Sequence, residues 1–293
     1  MNLLYIGHYA LDVYHLPEGG VREQQGGLVR AVTAIASLLE KKDRIVPVCG
    51  VHQGDEAGLR GALSPFPGVD LSGLFVQATP TNRVHFYPRA SGQHVACTDL
   101  LSPPIPFGRI RPFLDVDGVL INMLSGSDIT LETLDEIRMA VRGKGVILHL
   151  DYHNLVRGIE PNKERTLRPL PEWRRWAFMV DTIQANEEEI ARLTVEQMSE
   201  VQAAGHLLAL GVKGVLITCG ARGVRFYTSE HKHIMETDIP GVEGSDGEDA
   251  PGAGDLFGGI FFSRWLKTGD MPAAARFAAG AASAAVLGQG RRA

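Results

Sequence analysis

The chain has 293 residues, of which 44% are hydrophobic and 22% are charged. A chain of this length forms one or two domains and can bury a sizeable core. Its formal net charge of −5 argues against a nucleic-acid partner, because non-specific binding to nucleic acid requires a basic surface. The three cysteines, Cys49, Cys97 and Cys219, lie far apart without a C-x-x-C pair, which argues against a disulfide or zinc framework.

The start of the chain and its most apolar late stretch both argue against a secreted or membrane protein. The first eight residues lack a basic segment, and Asp12 interrupts any apolar run, so no signal peptide is expected. Residues 273–287 are mostly alanine and glycine and include Arg276, which predicts a packed helix and not a membrane span. We therefore expect a cytoplasmic protein without a membrane partner.

Short apolar runs alternate with longer amphipathic runs, as in βαβ units around a mostly parallel sheet. In chain order this pattern predicts strand 3–6, helix 28–39, strands 45–49 and 119–121, helix 131–141, strand 146–150, helix 201–210, strand 215–218 and helices 255–266 and 273–287. The apolar residues of the predicted helices recur every three or four positions, as in helices that pack on one face.

Residues 81–97 interrupt this alternation. Two half-polar extended runs flank a turn that contains Gly92, which predicts a β-hairpin. A hairpin inserted into an α/β sheet fits either a flap over a binding site or a surface decoration. On the first interpretation, residues 12–25 and 75–100 together form a small β lid.

The segment Asp-Ala-Pro-Gly-Ala-Gly-Asp at residues 249–255 directly precedes an apolar helix. Its small residues let backbone amides approach a ligand, and the helix points its unpaired N–H groups and positive dipole end at the same place. Such a site suits a phosphate, and Asp255 could deprotonate a hydroxyl that attacks it. The same residues also fit a simple glycine-rich turn with Asp255 as a first-turn acid. A dinucleotide fingerprint does not fit, because Phe257 occupies the place of its third glycine.

Segment 249–255 resembles the D-T-x-G-A-G-D signature of the ribokinase-like, or PfkB, family of carbohydrate and nucleoside kinases. Three further segments match that family in the right order: Gly26-Gly27 resembles its double glycine, Asn186-Glu187-Glu188-Glu189 its N-x-x-E motif, and residues 218–223 its T-x-G-x-x-G turn. The resemblance covers essentially the whole chain. It implies an α/β fold: a single ribokinase-like domain, residues 1–293, with a three-layer α/β/α core, a mostly parallel sheet and a small β lid.

The resemblance implies an ATP-dependent, Mg²⁺-requiring kinase that phosphorylates a hydroxyl of a small sugar, sugar acid or nucleoside. In such an enzyme Asp255 is the general base. The amides of Gly252, Ala253 and Gly254 form the anion hole for the transferred phosphoryl group.

The resemblance also implies cofactor-binding residues in two motifs. Asn186 and Glu189 hold Mg²⁺ through water near the phosphates, a task for hard oxygen ligands. These two residues also fit a helix capping box, and one arrangement can serve both purposes. Thr218, Gly220 and Gly223 line the ATP phosphates and ribose, although a tight turn between two strands is the better explanation of Gly223.

For the substrate, the resemblance implies residues at the ends of strands and helices and in the lid. They are Asp12, Gly26, Gly27, Arg30, Arg83 and Asp151. Asp12 also fits a turn acid, and Arg83 shares a face with His85 that looks at either substrate or water. His149, Asp151 and His153 share one side of an extended strand, but the family's aspartate at this strand end favours a substrate role over a metal site. Some family members pair through their lids, so a homodimer and a monomer are both compatible with the resemblance.

Some residues depart from the family pattern. Ala250 replaces the usual threonine or serine of the signature, Ala31 stands where an asparagine often contacts sugar hydroxyls, and the loop at residues 241–249 is acidic. These departures motivate an alternative function, a non-catalytic sensor of the same fold that binds a nucleotide or a sugar. The intact Asp255 and its glycine-rich turn favour the kinase.

Overall fold

The computed structural model describes residues 1–88, 94–196, 198–241 and 252–290. The strands in these ranges are β1 (Asn2–Ile6), β2 (Ala10–His15), β3 (Val21–Gln25), β4 (Arg44–His52), β5 (Leu74–Gln77), β6 (Asn82–Pro88), β7 (His94–Thr98), β8 (Gly118–Asn122), β9 (Ile147–Asp151), β10 (Arg157–Ile159), β11 (Arg165–Leu167), β12 (Thr182–Asn186), β13 (Gly214–Thr218), β14 (Gly223–Glu230) and β15 (His233–Pro240). The α-helices are α1 (Gly27–Ala36), α2 (Gln53–Leu63), α3 (Phe107–Ile110), α4 (Leu131–Val141), α5 (Trp173–Phe178), α6 (Glu187–Ala191), α7 (Glu200–Ala209), α8 (Ala253–Thr268) and α9 (Met271–Gly290). No helix in these ranges is long and apolar enough to cross a membrane.

Nine of the described strands form one large sheet in the order β15-β14-β13-β12-β9-β8-β1-β4-β5. From β13 to β5 every neighbouring pair is parallel, whereas β14 and β15 continue the sheet in antiparallel pairs. The central strands are apolar and almost completely buried, as parallel strands are when helices cover both faces.

Helices pack on both faces of the large sheet. On one face, α4, α5 and α7 bury apolar side chains such as Leu134 and Leu207. On the other face, α1, α2, α8 and α9 bury side chains such as Leu28 and Phe261. The expected three-layer α/β/α core with a mostly parallel sheet is confirmed.

Several element ends differ from the sequence-based expectation, and the ends of α1 and β4 are two of them. Helix α1 ends at Ala36 and not at residue 39, because Ser37 closes it by donating its hydroxyl to the Ala34 carbonyl oxygen at 2.7 Å. Strand β4 continues to His52 and not only to residue 49, because its last residues gain a second hydrogen-bonded neighbour in β5.

Four described strands form a separate small sheet in the order β3-β2-β6-β7. Strands β6 and β7 are antiparallel, so the two arms of the predicted hairpin are confirmed, and its turn at residues 89–93 lies outside the described residues. The expected second segment of the lid began near residue 75, but Leu74–Gln77 pairs with β4 at the edge of the large sheet. The second segment of the small sheet therefore begins at Asn82.

The large sheet changes its direction of growth beside β1. Strands β4 and β5 are added on one side of β1, and β8, β9, β12 and β13 are added on the other. In open parallel sheets, ligands bind beyond the carboxyl ends of the strands at such a switch point. We therefore expect a ligand site beyond the carboxyl ends of β1 and β8.

Candidate active site

Polar residues end four neighbouring strands of the large sheet. Asn122, Asp151, Asn186 and Thr218 are the last residues of β8, β9, β12 and β13. Strand pairing places Asn122 beside Asp151 and Asn186 beside Thr218. Because these strands are parallel, the four residues form a row along one edge of the sheet.

Asp255 lies next to this row, in the first turn of the sixteen-residue helix α8. It is 6% exposed, and its Oδ1 accepts a hydrogen bond from Asn122 Nδ2 at 2.9 Å. Gly252 precedes the helix with a φ of +87°, a left-handed conformation that glycine adopts without strain. The positive end of the helix dipole lies at this position and favours a negatively charged group there.

A second helix begins at the same carboxylate. A Cβ atom on Gly27, the first residue of α1, would lie 2.5 Å from Asp255 Oδ2 and 2.6 Å from a methyl carbon of Leu124. Only glycine fits at this position, because the Asp255 and Leu124 side chains lie too close to the backbone to leave room for a Cβ atom. The amino-terminal ends of α1 and α8 meet at Asp255, and both helices direct their positive dipole ends to one point.

Asp12 and Arg30 form a largely buried ion pair beside this junction. Arg30 Nη2 lies 2.5 Å from Asp12 Oδ2, and the two side chains are 19% and 6% exposed. Burial lowers the pKa of Arg30, but the negative charges of Asp12 and Asp255 outweigh burial and raise that pKa above its ordinary value. A Cβ on Gly26 would lie 3.0 Å from Asp12 Oδ1, so the double glycine lets the chain pass close to this pair.

Asp151 is connected to the start of α8 by Gln184. Gln184 Nε2 donates to Asp151 Oδ2 and to the Gly254 carbonyl oxygen, each at 3.0 Å. Burial, and then the negative charges of Glu189 and Asp255, raise the pKa of Asp151 well above its ordinary value. The structure thus brings Asp151 together with Asp255 and with the motif that ends at Glu189.

Asn186 and Glu189 form a complete capping box at the start of α6. Glu189 N donates to Asn186 Oδ1 at 2.9 Å, and Asn186 N donates to Glu189 Oε2 at 2.8 Å. Asn186 Nδ2 also donates to Glu189 Oε1 at 2.9 Å. The structural interpretation of this motif is therefore correct, and the cap fixes both side chains at the edge of the sheet.

The chemistry of this edge fits a magnesium ion. Burial raises the pKa of Glu189, and Glu189 in turn disfavours charge on Asp151, so a cation would relieve repulsion between buried acids. Carboxylate and amide oxygens are the ligands that Mg²⁺ prefers. Within the described ranges, no group of three or more His, Cys, Asp or Glu side chains could hold a metal ion. Contact through water, which Mg²⁺ commonly retains, suits the residues that are present.

The predicted nucleotide-side turn follows β13. Gly223 has a φ of +104°, and a Cβ there would lie 2.1 Å from the Ile239 carbonyl oxygen, so the turn itself requires glycine. Gly220 also has a left-handed φ, of +57°. Thr218 is half-buried at the end of β13, with its Oγ1 3.5 Å from the Ala185 carbonyl oxygen.

The structure does not bring Arg83 to this site. Leu11 pairs with Arg83 and Asp12 pairs with Val84, so Arg83 lies on the opposite face of the small sheet from Asp12. Arg83 Nε is 3.4 Å from Glu23 Oε2, in an exposed pair on that face. Alternation along β6 directs the Arg83 side chain away from the face of Asp12, so the expectation that both residues bind one substrate stays a prediction without support from this geometry.

Two polar residues of the site were absent from the sequence-based prediction. Asn122 follows the predicted strand 119–121 directly, and Gln184 interrupts the buried strand β12. A polar residue at the carboxyl end of an otherwise apolar run is the signal that could have indicated Asn122. For Gln184 the signal is a polar residue in the middle of a short buried strand. The first residues of the signature, 249–251, and the acidic loop 242–248 lie outside the described residues.

The chain is similar in sequence to known proteins over part of its length. Residues 158–293 match the sequence model of the pfkB family carbohydrate kinases. A deoxyribokinase from Salmonella typhi is 29% identical over 178 residues, which are 57% of this chain and 56% of that protein. The chain thus aligns with little more than half the length of this curated relative.

The similarity in fold extends further than the similarity in sequence. A pyrophosphate-dependent kinase in the ribokinase family, complexed with a pyrophosphate analog and myo-inositol, has a TM-score of 0.77 at 18% identity, covering 96% of this chain and 94% of that one. A ribokinase from Arabidopsis thaliana, complexed with ribose and ATP, has a TM-score of 0.70 at 21% identity, covering 96% and 91%. Residues 158–293, a little less than half of the chain, thus resemble the pfkB family carbohydrate kinases, and nearly the whole chain has the fold of these ribokinase-family structures.

Proposed function

We propose that the protein is a kinase that transfers the γ-phosphoryl group of ATP to a hydroxyl of a small sugar, sugar acid or nucleoside, with Asp255 as general base. The observation that carries this proposal is the position of Asp255. It is a buried carboxylate at the junction of two helix amino termini, with one oxygen held by Asn122 and the other facing Gly27. The proposed reaction needs a base and an anion site at one point, and this junction offers both.

In the proposed reaction, Asp255 accepts the proton of the substrate hydroxyl as its oxygen attacks the γ-phosphorus. A new oxygen–phosphorus bond forms, the bond to the bridging oxygen of ATP breaks, and ADP leaves with that electron pair. Asn122 holds Oδ1, which leaves Oδ2 free to accept the proton on the side of Gly27. Asp12 accepts hydrogen bonds from further hydroxyls of the substrate.

Negative charge develops on the phosphoryl oxygens during transfer. The amides of Gly252, Ala253 and Gly254 are unpaired at the start of α8 and can donate to these oxygens. Asn186 and Glu189 would hold Mg²⁺ through water. When bound, Mg²⁺ neutralises charge on the donor phosphates.

The phosphoryl donor is best tested directly. ATP is bound in the Arabidopsis ribokinase structure, whereas the other structure belongs to a pyrophosphate-dependent kinase. Both proteins share this fold, so the assay offers Mg-ATP and Mg-pyrophosphate as separate donors. We expect transfer of the phosphoryl group from ATP.

The test is an assay of ADP release with a panel of sugars, sugar acids, sugar phosphates and nucleosides, including the ribose and myo-inositol bound in the two structures. General-base catalysis contributes about 10²- to 10⁴-fold, so Asp255→Asn should lower turnover by at least that factor. The matched control is Asp115→Asn at an exposed aspartate, which should leave turnover unchanged.

Two results would contradict the kinase. One is a turnover that Asp255→Asn leaves unchanged. The other is thermal stabilisation of the protein by ATP or a panel member without transfer to any acceptor, which would support the sensor instead.

A further inference from the structure

One guanidinium group at the site has an unused hydrogen-bond donor. Arg30 Nη2 is bound to Asp12 at 2.5 Å, and Nη1 donates to the Gln25 carbonyl oxygen at 3.4 Å. Arg30 Nε is buried and has no hydrogen-bond partner among the described residues. The ion pair with Asp12 therefore uses Nη2 of the guanidinium and leaves the buried Nε–H without an acceptor among the described residues.

The unused N–H lies against the phosphate-binding turn. A Cβ built on Gly252 would lie 2.2 Å from Arg30 Nε and 2.8 Å from Arg30 Cζ. Gly252 is the residue that precedes the unpaired amides of α8. Arg30 Nε–H and the amides of the anion hole are thus neighbours, although Arg30 and Gly252 are remote in sequence.

Helix stability does not explain a cation at this place. Arg30 is close to the start of α1, where the helix dipole disfavours positive charge, and the first turn of α1 contains no acid. The start of α8 adds a second positive dipole end. A permanently charged side chain held between two helix amino termini concentrates positive potential there, which suits a ligand of high negative charge.

We propose that Arg30 is a catalytic residue that donates its Nε–H to the phosphoryl group in transfer, while its Nη2 remains bound to Asp12. This inference rests on the proposed kinase function. Arg30 thus binds the phosphoryl group in transfer, in addition to the substrate-binding role that the sequence predicted for it. A single side chain then connects Asp12, which binds the acceptor, with Gly252, which borders the anion hole.

The first experiment compares kcat and KM for the Arg30→Ala, Arg30→Lys and Asp12→Asn variants. Arginines that stabilise phosphoryl transfer contribute about 10³- to 10⁵-fold, so Arg30→Ala should lower kcat by that order. Lysine lacks the planar fork that reaches two partners, so Arg30→Lys should recover little. Asp12→Asn should mainly raise the KM for the acceptor. Arg175→Ala, at an arginine whose ion pairs lie on the surface, is the matched control.

Added guanidinium ion should restore part of the kcat of Arg30→Ala and none of the loss in Asp12→Asn. The proposal is overturned if Arg30→Ala and Asp12→Asn have the same effect and the double variant is no worse than either. That result would mean that Arg30 acts only by positioning Asp12.

A binding experiment separates this inference from the kinase function. Pyrophosphate without a metal should raise the melting temperature of the wild type and of Arg175→Ala, and should not raise that of Arg30→Gln. The double variant Arg30→Gln/Asp12→Asn, which leaves no unpaired buried charge, repeats the measurement if Arg30→Gln alone does not fold. Equal shifts in all variants, or none in the wild type, would overturn the role of Arg30. A lack of transfer to every acceptor would refute the kinase and with it the catalytic role of Arg30, whereas the pyrophosphate shifts would still show whether Arg30 binds a phosphoryl anion.

Discussion

The two sides of the site are built from different kinds of contact. On the acceptor side, defined by Asp12, Gly27, Arg30 and Asp255, the main contacts join different elements of the fold, as between Arg30 and Asp12 and between Gly27 and Asp255. On the donor side, defined by Asn186, Glu189, Thr218 and Gly223, the main contacts are local: a capping box between residues three apart and a tight turn. The acceptor side is a product of the tertiary fold, whereas the donor side is mostly secondary structure.

This difference predicts how the two sides respond to substitution. Local donor-side residues cap a helix and shape a turn, so changing them should alter stability and donor binding together. Acceptor-side residues touch Asp255 or its neighbours directly, so changing them should alter turnover more than folding. The match to the pfkB family model, residues 158–293, includes the donor side and lacks Asp12, Gly27 and Arg30.

The largest of the effects that test this contrast is expected for Gly27→Ala. The new Cβ would lie 2.5 Å from Asp255 Oδ2, so the carboxylate must move away from the reacting hydroxyl. A displacement of about 1 Å can cost about 10²-fold in rate, and we expect at least that loss in kcat. The measurement is steady-state kinetics on the acceptor that the panel identifies.

The control for this substitution is Gly61→Ala in α2. Nothing lies within 4 Å of a Cβ at Gly61, so this change should leave kcat intact and stabilise the helix by about 1 kcal/mol. A Gly27→Ala variant as active as the control would show that close approach to Asp255 has no bearing on turnover.

A smaller loss is expected for Asn122→Ala. The substitution removes the 2.9 Å hydrogen bond to Asp255 Oδ1, and a hydrogen bond to a charged group is worth about 1.5–3 kcal/mol. We expect kcat to fall about 10- to 100-fold. The KM for the acceptor should change little, because Asn122 contacts the proposed base and not the acceptor.

A merely structural role for Asn122 would lower the melting temperature and leave the kcat of the folded protein unchanged. The variant Asn122→Ser, whose hydroxyl retains a shorter donor, should fall between the wild type and Asn122→Ala in kcat. An equal kcat in all three proteins would contradict the role in positioning Asp255.

The smallest effect concerns the donor side. Asn186→Ala removes the N-cap of α6, which should destabilise the protein by about 0.5–2 kcal/mol and raise the KM for Mg-ATP several-fold. Asn186→Ser keeps a capping oxygen and should recover the stability, as thermal denaturation can show. If the KM for Mg-ATP recovers as well, Asn186 acts only as a cap. A KM that stays high assigns it a separate function.

The sequence predicted the local parts of this molecule well. Alternating runs indicated the central strands and the α/β/α layers, and the motifs at Asn186–Glu189 and Thr218–Gly223 were recognisable because neighbours in the chain form them. Asp255 was also recognisable, since a glycine-rich turn, a helix start and an acid occur within a few residues.

Sequence patterns of this kind did not predict the long-range contacts. Nothing in the chain near Arg30 indicates that its Nε lies against Gly252, because only the packing of α1 on α8 creates that contact. The face of the small sheet on which Arg83 lies depends on the register between β2 and β6. A shift of one residue in that register would move the Arg83 side chain to the other face of the small sheet. The sequence alone does not determine this register.

The most direct measurement of the central claim is product analysis by phosphorus NMR after incubation with Mg-ATP and the acceptor that the panel identifies. We predict a new phosphomonoester signal that grows as ATP is converted to ADP with the wild type, and no such signal over the same time with Asp255→Asn. Free phosphate in place of an ester, or an ester formed equally well by Asp255→Asn, would contradict the assignment of Asp255 as the base that delivers the hydroxyl to the phosphoryl group.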